Sequence, residues 1–304
     1  MVIELIDANY SALLVFRNVG DIIRVLKKEI EMLLPAMTRQ LAQRIEQNDI
    51  DYSISRLEGM QQAKGNPLQI EINRYGNVHA FLIEAWPEFW YGNKVLGLEP
   101  SSEIYLDEII EQFAKHRLSF RFEILPGNLN SSLASHLHKL RFCQMSFNTA
   151  VYGIPTRTAK ASANEHLRVR EVRPNEVDLF LDLYQDGFGL PRLNHSEREC
   201  VLSWLGGAKS SLYLCIAHMD DIPAGVGLLY MENGIGLLAD AATLPGFRGR
   251  GCHTAMIQHR IGQAEEKNCD LLTSFVEFGS TSHLNLERAG LRVAYTKSMW
   301  WKVE

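Results

Sequence analysis

The sequence predicts an α+β fold made of two similar halves in tandem, each a mixed sheet flanked by helices. Three observations predict it. The chain has 304 residues, enough for two cores. A polar, small-residue stretch at Pro155–Asn164 lacks apolar periodicity and reads as a linker. Strand and helix patterns alternate on both sides of it, and the second half follows the order β-α-βββ-α-β-α-β.

In the first half, Asp21–Leu34 carries Ile22, Ile23, Leu26, Ile30 and Leu33 at helical spacing, and Pro35 ends it. Glu103–His116 predicts a helix through Leu106, Ile109, Ile110 and Phe113. Leu118–Leu125 reads as a strand. Pro126, Gly127 and Asn128 then turn the chain into a helix over Ser131–Leu140, and Phe142–Tyr152 is a further strand. His136 and His138 fall on different faces of that helix, so they form no metal pair, and no metal is expected. The aromatic cluster Trp86, Phe89, Trp90 and Tyr91 suits either a cleft wall or a core.

In the second half, Leu167–Val172 alternates as a strand and Asn175–Tyr184 follows as a helix with Val177, Phe180 and Leu181 inward. Ser211–His218, Ile222–Met231 and Gly234–Thr243 form a meander, joined by turn residues at Asp220–Asp221 and Asn233–Gly234. A helix spans Gly251–Lys267, and Leu271–Val276 is a buried type of strand. Ser280–Ser282 can cap a short helix that stops at Gly290, and Leu291–Trp301 closes as a strand.

Composition narrows the class. Hydrophobic residues make up 46% and charged residues 22%, the balance of a globular chain rather than a disordered one. A net charge of −5 gives no general attraction to nucleic acid. No apolar run reaches membrane-spanning length, and no leader pattern opens the chain. Five scattered cysteines without CxxC spacing read as reduced thiols, so a cytoplasmic location is expected.

The chemistry concentrates at Ala242–Met256. An apolar strand runs into Pro245, then Arg248-Gly249-Arg250-Gly251-Cys252-His253-Thr254, then directly into a helix. Such a layout presents backbone N–H groups at the positive end of a helix dipole, a place for phosphate or pyrophosphate. Gly249 and Gly251 allow φ > 0 and close approach, and Arg248 and Arg250 add charge. A dinucleotide fingerprint needs a third Gly where Thr254 stands, and a Walker loop needs Gly-Lys-Ser/Thr, which is absent.

The strand, the Arg-x-x-Gly-x-His loop and the helix resemble the GCN5-related N-acetyltransferase (GNAT) family, whose loop cradles the pyrophosphate of acetyl-CoA. His253 departs from the Gly or Ala usual there. The resemblance covers the whole second half. The first half repeats part of the order, Gly127 to Phe142 against Gly279 to Leu291, but has no Arg-x-x-Gly-x-Gly over Trp86–Gly97. It looks like a degenerate second copy. The resemblance thus implies two acyl-CoA N-acyltransferase-like (GNAT) domains in tandem: residues 1–154 degenerate, 155–165 linker, 166–304 catalytic.

It also implies acetyl transfer from acetyl-CoA to an amine by direct attack on the thioester. Arg248, Gly249, Arg250, Gly251, Cys252, His253 and Thr254 would hold the cofactor, and a backbone amide near Ala241, Ala242 or Thr243 would meet the oxyanion. Three groups suit the base. Asp240 is the one acid in the apolar run Gly236–Thr243, Glu277 ends the next strand, and His253 stands beside the loop. The family's usual acid, a Tyr in the second helix, falls here on Leu286, and its Asn falls on Gly279, so Tyr295 or water would return the proton. Ser282 would touch the cofactor or cap its helix. The missing positions also suit an acyl-CoA-binding pseudoenzyme or regulatory module. Expected partners are a small-molecule amine or peptide acceptor, with no nucleic acid and no membrane, in a monomer or homodimer.

Overall fold

A computed structural model describes residues 4–5, 14–15, 34–89, 91–156, 164–207 and 211–303. The chain divides into two compact units, Met1–Ala36 and Met37–Glu304. In the first, β1 (Glu4–Leu5) pairs antiparallel with β2 (Leu14–Val15). The helix expected over Asp21–Leu34 lies outside the described residues except for Leu34, as do Trp90 and most of the linker.

The second unit opens with α1 (Arg39–Gln61). Thr38 caps it, its hydroxyl accepting from Leu41 N at 3.1 Å. Then come β3 (Ile70–Tyr75), β4 (Val78–Ile83) and β5 (Lys94–Leu96), α2 (Leu106–Lys115) behind a 3₁₀ turn at Pro100–Tyr105, β6 (Arg121–Ile124), α3 (Ser131–Lys139) and β7 (Phe142–Gly153). After the linker follow β8 (Leu167–Glu171), α4 (Val177–Phe188), α5 (His195–Leu205), β9 (Leu212–Met219), β10 (Ile222–Glu232), β11 (Ile235–Thr243), α6 (Cys252–Glu266), β12 (Leu271–Val276), α7 (Thr281–Arg288) and β13 (Arg292–Lys302). The sequence reading did not anticipate α1, α5 or β3–β5.

Eleven strands of this unit form one sheet in the order β3-β4-β5-β6-β13-β7-β12-β11-β10-β9-β8. The expectation of separate central sheets is therefore corrected to a single continuous one. The cause is two long strands, β7 of 12 residues and β13 of 11, that pair along most of their length. Each also reaches into the other half: β7 pairs with β12, and β13 with β6. On either side of this central pair the ladder repeats. A parallel pair stands one strand out, β5 with β6 and β11 with β12, and antiparallel neighbours lie beyond it.

Side chains alternate across a strand, so each face of the sheet collects its own core. One face holds a single cluster that joins Ile50, Leu57 and Met60 of α1 to Phe180 of α4, Trp204 of α5, Phe81 of β4 and Leu228 of β10. The other face carries two clusters. Met256, Ile257 and Leu286 centre the one under α6 and α7, and Ile109, Phe113 and Leu137 the one under α2 and α3. Helix α1 crosses α5 closely because Gly59 has no Cβ; one placed there would lie 2.8 Å from Trp204 Cδ1. Arg44 also ties α1 to the second half, donating to Asp270 Oδ2 at 2.8 Å and to Asn233 O at 3.0 Å.

Candidate active site

Strands β11 and β12 pair only from Ile235–Leu237 to Leu271–Thr273, yet run on to Thr243 and Val276. They part at Leu238. The divergence is fixed from three sides. Ser274 Oγ donates to Leu238 O at 2.8 Å. On the far edge, the β10–β11 ladder shifts register between Gly227 and Leu229. Buried Arg260 fills that irregularity, its Nη1 donating to Leu228 O and Ala239 O, both at 2.8 Å, and its Nε to Met256 O at 3.1 Å. Burial lowers the Arg260 pKa, and the three carbonyls compensate the desolvated cation.

Beyond β11 the chain turns at Pro245–Phe247 and enters α6. Gly249 and Gly251 adopt φ of +74° and +90°, the left-handed region that glycine favours. A Cβ at Gly249 would meet nothing within 4 Å. Gly251 is the N-cap of α6, and no side chain caps the helix, so its first-turn N–H groups are left uncapped behind an exposed loop. Thr243 Oγ1 is buried with no hydrogen-bond partner among the described residues. These features fit a bound pyrophosphate-bearing cofactor. The matching turn before α2 is closed instead: Pro100 starts it, and Ser102 Oγ accepts from Glu99 N at 3.0 Å.

Next to the parted strands lies a cavity of about 630 Å³. Ala239, Asp240, Ala241, His253, Ser274, Glu277, Ser282 and Leu286 line one end. Asp49, Lys94, Arg121, Glu123, Phe147 and Trp301 line the other, with Tyr52 and Arg56 of α1 also in the wall.

Asp240 is not isolated among apolar groups, as the sequence suggested. Tyr52 Oη donates to its Oδ2 at 3.0 Å, and Tyr184 lies close enough to feel its charge. Burial first, and the Asp240 charge second, push both phenols up. Arg56 lies beside Tyr52, with its guanidinium 5.3 Å from the centre of the Trp204 ring. At the opposite end, Lys297 is fully buried. It meets Asp49 Oδ2 at 2.6 Å and Glu46 Oε2 and Glu123 Oε2 at 3.3 Å. Arg121 Nε donates to Glu123 Oε1 at 2.9 Å.

Solved structures of similar fold cover most of this unit. A GCN5-related N-acetyltransferase from Kribbella flavida aligns with a TM-score of 0.60 at 14% identity, over 84% of this chain and 95% of that one. A tandem GNAT protein from the clavulanic acid biosynthesis pathway aligns with a TM-score of 0.54 at 12% identity, over 81% and 86%. A GCN5-related N-acetyltransferase from Sphaerobacter thermophilus aligns with a TM-score of 0.51 at 13% identity, over 82% and 91%. The fold is that of the GCN5-related N-acetyltransferases. No protein-family model and no curated protein matches the sequence.

Within this GNAT fold, the residues singled out in the sequence divide into three groups. Ala241 and Asp240 border the strand gap, with Ala242 buried beneath Gly187 of α4 and Thr243 half-buried. His253, Glu277 and Ser282 reach the same cavity. Ser282 is not the helix cap, since Ser280 Oγ accepts from His283 N at 3.2 Å. Burial, then Arg260, pushes His253 down to about 4, so its imidazole is neutral at pH 7. Its Nδ1 lies 3.0 Å from Asn285 Nδ2 and is assigned as the acceptor, which leaves the proton on Nε2.

The loop residues Gly249, Arg250, Gly251 and Thr254 are exposed, with Arg250 over the Phe247 ring at 5.7 Å, whereas Cys252 is buried and offers only its backbone. Arg248 is engaged structurally, donating to Thr243 O at 3.2 Å and Gly187 O at 3.0 Å. Tyr295 stands apart. Its hydroxyl donates to Glu46 Oε2 at 3.4 Å, and it does not line the cavity.

The sequence reading missed Tyr52, Arg56, Tyr184, Asp49, Lys94, Arg121 and Glu123. A signal existed for some. Asp49, Tyr52 and Arg56 recur at i, i+3 and i+7, one face of a helix. Arg121 and Glu123 share one face of an otherwise apolar strand.

Proposed function

We propose that the chain is an acetyl-CoA-dependent N-acetyltransferase acting on a small-molecule amine or peptide, with its cofactor site in the second half. One observation carries the reading: the uncapped start of α6, behind two left-handed glycines, opens beside parted strands that hold a hydrogen-bonded carboxylate. The amides from Gly249 to Thr254 and the charge of Arg250 would hold the pyrophosphate, and the β11 edge at Ala241–Thr243 would offer the acyl oxygen its donor. Acetyl-CoA, when bound, supplies an acyl thioester.

The chain's own residues then handle protons. Asp240 receives the proton of the attacking amine on its carboxylate. Tyr52, bonded to Oδ2 at 3.0 Å, would give its phenol proton to the leaving sulfur and regain the proton that Asp240 took from the amine. In this reading Tyr52 takes the role for which the sequence offered Tyr295 or water. Neutral His253 acts as a donor in the wall, because a group titrating near 4 is a weak base at neutral pH.

The repeated ladder about β7 and β13 supports the tandem reading, with residues up to 154 as a degenerate copy. Calorimetry tests the assignment. Wild-type protein should bind CoA. Gly251→Glu, which places a carboxylate at the uncapped start of α6, should abolish binding while circular dichroism is unchanged. A folded variant that binds CoA like wild type puts the site elsewhere. Release of free thiol on addition of an amine separates an enzyme from an acyl-CoA-binding regulator.

A further inference from the structure

At the end of the cavity away from Asp240, both carboxylates are engaged. Asp49 Oδ2 meets Lys297 at 2.6 Å, and Glu123 takes Arg121 on one oxygen and Lys297 on the other. Lys94 is held less closely, by a long ion pair with Asp49 and by its attraction to the Glu123 charge. Its ammonium comes no closer than 4.0 Å to Asp49, beyond hydrogen-bond range, and donates no hydrogen bond among the described residues, although only 14% of its side chain is exposed. Arg121 sits beside it in the same wall, between the Tyr91 and Trp301 rings at 5.1 and 5.8 Å.

The third carboxyl of the cluster, Glu46, also pairs with Lys297, at 3.3 Å. At the other end, Asp240 is faced by the phenols of Tyr52 and Tyr184 and by the cations Arg56 and Arg260, and Glu277 is exposed at the rim. A cation partly withdrawn from water without a hydrogen bond is costly, and an anion in the cavity would relieve that cost.

We infer that the acceptor carries an anionic group, a carboxylate or phosphate, which Lys94 binds at the far end of the cavity while the acceptor's amine lies at Asp240. The two ends are joined along α1. Asp49, next to Lys94, and Tyr52, bonded to Asp240, stand one helical turn apart, so the amine and the anion are separated by several bonds. This inference rests on the transferase reading for its orientation and goes beyond it in naming the acceptor's chemistry. It disfavours polyamines, because the carboxylates lining the Lys94 end among the described residues, Asp49 and Glu123, are both ion-paired with Lys297.

The test is calorimetry on the full chain, with CoA present, using probes that differ only in the anion: 5-aminopentanoate against pentylamine, and O-phosphoethanolamine against ethanolamine. At least one anionic member should bind about tenfold or more tighter than its partner, the yield of one charge-assisted hydrogen bond, and the better pair tells carboxylate from phosphate. Lys94→Met should erase the preference with CoA affinity retained, and Lys94→Arg should keep it. Equal binding within both pairs, no binding of any probe, or a preference that survives Lys94→Met overturns the inference. Thiol release is read in parallel. Turnover of pentylamine and ethanolamine alone removes the inference and leaves the transferase standing. Anion-selective binding without thiol release does the reverse.

Discussion

Asp240 changes character between sequence and structure. Read along β11 it is a lone carboxylate in an apolar run, but folded it accepts from Tyr52 across the cavity wall. Its proposed role as a base then depends on a residue almost two hundred positions upstream. Asp240→Asn should lower turnover roughly 10²–10⁴-fold with CoA affinity unchanged, and Tyr52→Phe should lower it with an altered pH–rate profile. Steady-state kinetics with calorimetry decides, and an unchanged rate in Asp240→Asn would move the base to Glu277. His253 gives a stability prediction. It titrates near 4 when folded against an ordinary 6.5, so between those values the unfolded chain binds more protons. Stability attributable to this group is therefore full above pH 6.5 and declines on acidification, by about 2 kcal/mol at pH 5. Urea midpoints at pH 7 and pH 5 should differ less in His253→Gln than in wild type.

Among the elements, α1 matters most to the site and was least visible beforehand. It spans 23 residues but buries Glu46, Asn48, Asp49, Ser53 and Ser55. A helix whose inward face is polar gives little apolar periodicity to read. Strand β5 has three residues, too few for alternation to register. By contrast, β12 and α6 were legible, because an apolar strand and a glycine-led helix follow from local chemistry alone. The partners of Asp240 and the Lys297 cluster were not legible. They depend on which strands adjoin, and spacing along the chain does not encode that. The crossing of α1 and α5 offers a test. Gly59→Leu forces a side chain against Trp204 and should cost about 1–3 kcal/mol, seen as a lower Tm. A Tm equal to wild type would mean that the two helices can separate without loss.

At the scale of the molecule, the continuous sheet revises one expectation drawn from the linker. Residues 166–304 look self-sufficient in sequence, but their strands β12 and β13 are separated by β7 from the other side. Expressed alone, this half should lack the strand between them and expose the edges that β7 covers. The expected outcome is an insoluble or aggregated fragment. Co-expression of residues 1–156 with 164–304 should restore a soluble complex that binds CoA. A monomeric, CoA-binding fragment 164–304 would show that β13 can close onto β12 unaided.

The central pair has a consequence for how such a chain can change over time. A duplicated unit that ceases to bind its ligand is ordinarily disposable, because deleting it leaves a complete neighbour behind. Here each half ends in a strand lodged in the other. Deletion at the linker would leave the survivor one strand short, so each half is retained by architecture whether or not it is retained by activity. The wall bearing Lys94 and Arg121 shares that constraint, because Arg121 pairs with Trp301 of β13 and Lys94 pairs with Arg121.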